Sequence, residues 1–255
     1  MREFLTMFTL GTTSYIYPAD IATNVRKLAG KVGDVELVIF ELKHEGNIPD
    51  EEVINELIHL GNEHGMSYTV HLPLDLELGG DHPAITKALK VIDRMSPLKP
   101  AGYIVHLDGF LSVGESGRVQ RSLDTLNILS EAVPDHRLLC IENLETEDPI
   151  FIDAILDSSP VSTCVDIGHL WKGGLDPFPI LKKRLERTRV VHIHGMSSRD
   201  HKSVSLVPPA YLDPVIQLLL ESYHGIVTIE VFSEGDLTSS MASIRSSMER
   251  VGYQS

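Results

Sequence analysis

Six short apolar runs of this chain each end in a side chain that can hold a metal ion. They are Tyr68-Thr69-Val70-His71, Tyr103-Ile104-Val105-His106, Leu139-Cys140-Ile141-Glu142, Thr163-Cys164-Val165-Asp166, Val190-Val191-His192-Ile193-His194 and Thr228-Ile229-Glu230. Imidazole nitrogens and carboxylate oxygens arriving from several directions are what a divalent ion requires. A lone strand-end histidine is more often a satisfied polar residue than a ligand, and Glu142 or Glu230 could be the buried partner of a lysine or arginine. Carboxylates at the ends of buried strands are costly unless paired or metal-bound, however, and joint placement favours a metal centre.

Smaller signals add to these. In Asp166-Ile167-Gly168-His169 the aspartate ends a strand, and Gly168 is expected to permit a sharp turn that folds His169 back to the same centre. Ser198-Arg199-Asp200-His201 can bring another carboxylate and imidazole after the next strand. Residues two apart on a strand face the same way, so His192 and His194 point together. Lys172, Arg199 and Lys202 are expected in loops where they could balance phosphate charge. Trp171, the sole tryptophan, is expected in the loop after strand six, packing on a flat ligand or anchoring the loop. Glu41, at the end of strand two, reads as an acceptor for a substrate hydroxyl in preference to a ligand.

To bring such residues together, the elements must be parallel strands alternating with helices. Strands are expected over 8–13, 35–41, 67–72, 102–107, 138–143, 161–167, 189–194 and 226–232. Helices are expected over 20–29, 49–64, 83–95, 117–132, 149–156, 177–187, 210–223 and 237–251, with Pro49 in a first turn. Near-continuous apolar runs such as Val35-Glu36-Leu37-Val38-Ile39-Phe40 suit a sheet covered on both faces, and Val53, Leu57 and Leu60 have helical spacing. Strict alternation argues for an α/β fold. An open doubly wound sheet competes, but ligands on both early and late strands favour closure into a (β/α)8 TIM barrel, whose active site lies at the carboxyl ends of its strands. The long segments 73–82, 108–116, 168–176 and 195–209 would then all rise on that face.

At 255 residues and 42% hydrophobic, the chain matches one such barrel spanning 1–255. No apolar stretch reaches the roughly 18 residues of a membrane span. Without a signal-peptide pattern over 1–10, a cytoplasmic location is expected. The net charge of −14 repels nucleic acid and says nothing about fold. Cys140 and Cys164 sit inside apolar runs and read as reduced core residues. His44, His59, His64, His82, His136 and His224 read as surface residues.

These motifs resemble the xylose isomerase-like barrel superfamily over essentially the whole chain. In its epimerase branch one divalent ion is held by Glu, Asp, His and Glu from strands five to eight, which Glu142, Asp166, His192 and Glu230 match. In its endonuclease IV branch further ligands hold a zinc cluster, and His71, His106 and His169 match three of them. The Asp-x-His of that branch is replaced here by the adjacent pair Asp200-His201, a departure from the three-metal pattern. Val70-His71-Leu72-Pro73-Leu74-Asp75-Leu76, Cys140-Ile141-Glu142-Asn143-Leu144, Cys164-Val165-Asp166-Ile167-Gly168-His169-Leu170, Val191-His192-Ile193-His194-Gly195 and Thr228-Ile229-Glu230-Val231-Phe232 are similar to a family of bacterial cobamide-remodelling phosphodiesterases. That resemblance implies cleavage of a cobamide's nucleotide loop to cobinamide phosphate and a ribazole.

The expectation is therefore a phosphodiesterase with two or three Zn, Mn or Co ions on His71, His106, Glu142, Asp166, His169, His192, Asp200, His201 and Glu230. Glu142, Glu230 and His201 would be catalytic, and Glu41, His194, Lys172, Trp171 and Arg199 would meet a small-molecule substrate. The alternative is a sugar isomerase or epimerase using one ion and proton transfer by Glu142 and Glu230, with His71 and His106 on hydroxyls. A binding protein without catalysis is the least favoured reading, because the ligand set is complete.

Overall fold

A computed structural model describes residues 8–39, 47–73, 82–107, 117–145, 148–197, 199 and 201–253. Eight strands run in one direction: β1 Thr9–Thr13, β2 Asp34–Val38, β3 Ser67–His71, β4 Tyr103–Val105, β5 Leu139–Glu142, β6 Ser162–Asp166, β7 Thr188–Ile193 and β8 Ile226–Ile229. Each pairs with the next, and β8 pairs with β1 from Thr9↔Ile226 to Thr12↔Ile229, closing a (β/α)8 barrel. The helices are α1 Ile21–Leu28, α2 Glu51–His64, α3 His82–Met95, α4 Arg118–Ser130, α5 Pro149–Ser158, α6 Ile167–Lys172, α7 Pro177–Arg184, α8 Pro209–Ser222 and α9 Glu234–Arg250.

Short polar residues start most of these helices. Asp20, Asp50, Asp148, Asp166, Asp176 and Ser233 each accept a first-turn N–H with the side chain, satisfying a donor that has no partner within the helix. Pro149, Pro177 and Pro209 occupy first positions, where a missing N–H costs nothing. Pro49 does not, contrary to expectation: it precedes the cap Asp50, and α2 begins at Glu51. A second departure is α6, which occupies part of the segment expected as a loop. Its cap is Asp166 itself, and Ile167, Leu170 and Trp171 are buried. Strand β8 stops at Ile229, before Glu230, and α9 starts at Glu234, earlier than its apolar spacing suggests, because Ser233 caps it and Glu234 and Asp236 favour the positive end of the helix dipole.

The main core lies between sheet and helices. A separate cluster of Ile104, Cys140, Cys164 and Val190 fills the barrel interior. Both cysteines are free and buried. By strand alternation, the next inward positions toward the carboxyl ends are His106, Glu142, Asp166 and His192. The apolar layer is thus the floor of the mouth. A register shift at Thr163/Cys164 absorbs one residue of β7 and sets Asp166 directly beside His192. Among the described residues no helix is long and apolar enough to cross a membrane.

Candidate metal centre

Glu142 stands at the middle of the mouth, 2% exposed. Its Oε2 lies 2.9 Å from His106 Nε2 and 3.3 Å from His71 Nε2. Its Oε1 lies 3.3 Å from His192 Nδ1 and 3.7 Å from His169 Nδ1. His192 Nδ1 also faces Glu230 Oε2 at 3.2 Å and Asp166 Oδ2 at 3.9 Å. Three groups of donor atoms arise, each within 4.8 Å of one another: His71, His106 and Glu142; Glu142, Asp166, His192 and Glu230; and His169, His194 and His201. Glu142 belongs to the first two. Cys164 forms a further group with Glu142 and His192, from one layer beneath.

These residues fit a divalent ion. Asp166 Oδ2, His192 Nδ1 and Glu230 Oε2 are buried with no hydrogen-bond partner among the described residues, yet all belong to the same four-residue group. Buried polar atoms left without partners are expensive, and an ion among them would satisfy all three. The electrostatics agree. Burial works against the charged form of Glu142, but His192 and His106 outweigh it and hold the carboxyl well below the usual range. Glu230 follows the same pattern, with His192 and His201 as the opposing charges. Burial alone would lower His192, whose surrounding anions instead raise it well above the ordinary imidazole value. His71 is carried up to about 9, burial being overcome chiefly by Glu142. Imidazolium charge thus offsets the carboxylates in the metal-free protein, a task a dication would take over.

The supporting contacts set which atoms face the centre. His71 Nδ1 is bonded to the carbonyl of Leu72 at 2.8 Å, leaving Nε2 for the mouth. Asn143 clamps β5 to β6: its Oδ1 accepts from the Asp166 N–H and its Nδ2 donates to the Asp166 carbonyl, both at 3.0 Å. Asp166 Oδ1 accepts the His169 N–H at 2.7 Å, so His169 enters on the first turn of α6 and not through a sharp glycine turn. Gly168 has a different reason to lack a side chain. A Cβ there would come within 2.2 Å of the His194 ring. His201 adopts left-handed backbone, φ 53°, in a loop tied by Gly195 N–H to the Lys202 carbonyl at 2.6 Å and by Ser203 to Ser239 at 2.6 Å. Its Nε2 lies 3.4 Å from Glu230 Oε1, and its ring packs 5.0 Å from the half-exposed Phe232.

Other sequence expectations fall elsewhere. Trp171 is in a helix, not a loop, and its ring lies in the core with 3% exposed, so it presents no face to a ligand. Lys172 ends the same helix, 2.6 Å from Glu145. Arg199 is exposed, in a turn closed by Ser197, and Lys202 lies 3.4 Å from Asp236. Glu41, Asp200, His44 and the side chain of His82 are outside the described residues. His59, His64, His136 and His224 are exposed, as expected.

Glu36 joins the site from outside the sequence expectations. Strand β2 carries it inward, fully buried, with Oε2 2.8 Å from His192 Nε2. The signal was present: one acid interrupts the apolar run Val35-Glu36-Leu37-Val38.

Solved structures share this architecture. A D-tagatose 3-epimerase-like protein matches with TM-score 0.80 at 20% identity, over 96% of this chain and 98% of its own. The D-psicose 3-epimerase of Clostridium cellulolyticum H10, solved with D-tagatose, matches at 0.72 and 16%, over 96% and 99%. A family 2 AP endonuclease from Brucella melitensis matches at 0.69 and 13%, over 93% and 98%. At these identities the likeness speaks to the fold. No curated protein sequence matches. The xylose isomerase-like TIM barrel model matches residues 32–251, nearly every strand that lines the mouth, and the chain belongs to that family.

Proposed function

We propose that the protein is a metal-dependent hydrolase of small-molecule phosphodiesters. The observation that carries the reading is the linkage of donor groups through Glu142: His71, His106 and Glu142 form one group, and the same Glu142 with Asp166, His192 and Glu230 forms the next. An enzyme with one ion needs only the second. Bound ions would supply charge for the phosphate and bring a water's pKa toward neutrality.

The chain's own residues divide the remaining work. Glu142 and Glu230 hold donor imidazoles in register and orient the site. His201, about a quarter exposed at its side chain and 3.4 Å from Glu230, can deliver a proton to the leaving oxygen as water adds to phosphorus and the P–O bond breaks. His169, His194 and His201 form a third group of donors. The floor of Ile104, Cys140, Cys164 and Val190 excludes water from below. A net charge of −14 disfavours a polyanionic nucleic acid and favours a small diester. Among small diesters we favour a cobamide, on the strength of the sequence phrases around His71, Glu142, Asp166, His192 and Glu230.

Anaerobic incubation of adenosylcobalamin with protein loaded separately with Zn, Mn and Co, followed by mass spectrometry, tests this. Cobinamide phosphate and a ribazole are the expected products, with two or three ions per chain. An unchanged cobamide together with a single ion would overturn the reading. It would favour sugar epimerisation, for which the complete set Glu142, Asp166, His192 and Glu230 suffices, and a ketose panel would follow.

A further inference from the structure

We infer that Glu36 is the positioning residue that aims His192 at the metal. Its carboxylate takes the Nε2–H of that ring, so that the neutral, metal-binding form of the ring has its lone pair on Nδ1, facing the mouth. The inference rests on the metal-holding part of the proposed function and is the same for hydrolysis or epimerisation.

A neutral imidazole has one N–H and one lone pair, and an ionised carboxylate only accepts. At 2.8 Å between Glu36 Oε2 and His192 Nε2, the proton belongs on Nε2. Nδ1 then lies among Glu142 Oε1, Glu230 Oε2 and Asp166 Oδ2, at 3.3, 3.2 and 3.9 Å. His71 and His194 have Nδ1 against backbone carbonyls, of Leu72 and Gly195, and His169 against that of Asn143. His192 instead meets a full negative charge at the far nitrogen, which makes its free nitrogen a stronger donor.

A structural purpose does not account for Glu36. Both side chains are fully buried, and Glu36 Oε1 has no hydrogen-bond partner among the described residues. A buried carboxylate–imidazole pair with one oxygen left unsatisfied stabilises a fold no better than a well-packed apolar pair of similar volume. Its retention on an otherwise apolar strand is explained if it serves the ring beside it.

The test uses the full chain, Glu36→Gln and Glu36→Leu, and zinc as the probe. Metal-free variants are expected to melt below the wild-type temperature, because removing one partner leaves the buried charge of His192 less compensated. Zinc affinity, measured by chelator competition, is expected to fall roughly 10–100-fold, more for leucine than for glutamine. Affinities within about twofold of wild type in both variants would overturn the inference and leave the metal centre standing. If neither variant folds, ¹⁵N-histidine spectra of the zinc-loaded wild type decide. A proton on Nε2 of His192 with zinc on Nδ1 is expected, and the reverse tautomer overturns the inference. Wild-type protein that binds no zinc, manganese or cobalt would overturn this inference and the proposed function together.

Discussion

Glu142 lies within 3.7 Å of His71, His106, His169 and His192, and no neutral side chain can offer that many cationic or metal-bound neighbours two anionic oxygens. Glu142→Gln should fold, since the amide has nearly the same shape. It should lose at least one ion per chain by elemental analysis and about a hundredfold or more in turnover. Wild-type turnover with full metal content would remove Glu142 from the site. The imidazoles make a second prediction. His71 reaches about 9, and His192 lies well above the usual value, so both hold extra protons at pH 7 in the metal-free protein. An ion needs their lone pairs, so binding must release protons and affinity must rise with pH until pH passes about 9. Calorimetric zinc titrations in buffers of different ionisation heat measure this, and a buffer-independent heat would contradict it.

At the scale of elements, α6 shows what short segments conceal. Its six residues are too few for apolar periodicity to register, and the segment reads as a loop. What makes it helical is Asp166, which ends β6 and caps α6 together, and the burial of Ile167, Leu170 and Trp171. The same helix brings His169 in and leaves a gap at Gly168 that His194 fills. On helix propensity alone, Gly168→Ala should stabilise by up to about 1 kcal/mol. The Cβ would stand 2.2 Å from the His194 imidazole, whose neighbours cannot yield freely, and overpacking of this kind costs about 1–3 kcal/mol. A lowered urea midpoint with displaced His194 resonances is expected, and a raised midpoint would show that the ring moves aside easily.

For the whole molecule, closure places a charged interior at two levels, the mouth and a lower position on β2. There Asp34 accepts from Ser67 Oγ at 2.6 Å and Thr69 Oγ1 at 2.8 Å. Complete burial raises its carboxyl from 3.8 to about 6, against the pull of those two hydroxyls. The folded state therefore keeps a proton that the unfolded chain has lost. Global stability from this group is greatest below pH 3.8 and falls until pH passes about 6. At about 1.4 kcal/mol per pH unit the difference is about 3 kcal/mol. Subtracting the stability of Asp34→Asn from that of wild type at each pH isolates it from the other acids. The difference should decline across that window, and a flat difference would show that Asp34 titrates normally.

Sequence by itself determined the alternation of strand and helix, the closed barrel that eight such units form, and the ends at which His71, His106, Glu142, Asp166, His192 and Glu230 sit. Those features are local: apolar runs, polar caps and a ligand type at each run's end. Tertiary structure decided how the ligands associate. That Glu142 is shared by two groups, that Glu36 stands behind His192, and that Trp171 faces the core follow from which strand lies beside which and from the shift at Thr163/Cys164. Inward and outward positions on a strand covered on both faces are alike in apolar character, so no pattern within β2 could say that Glu36 points at a residue 156 positions away.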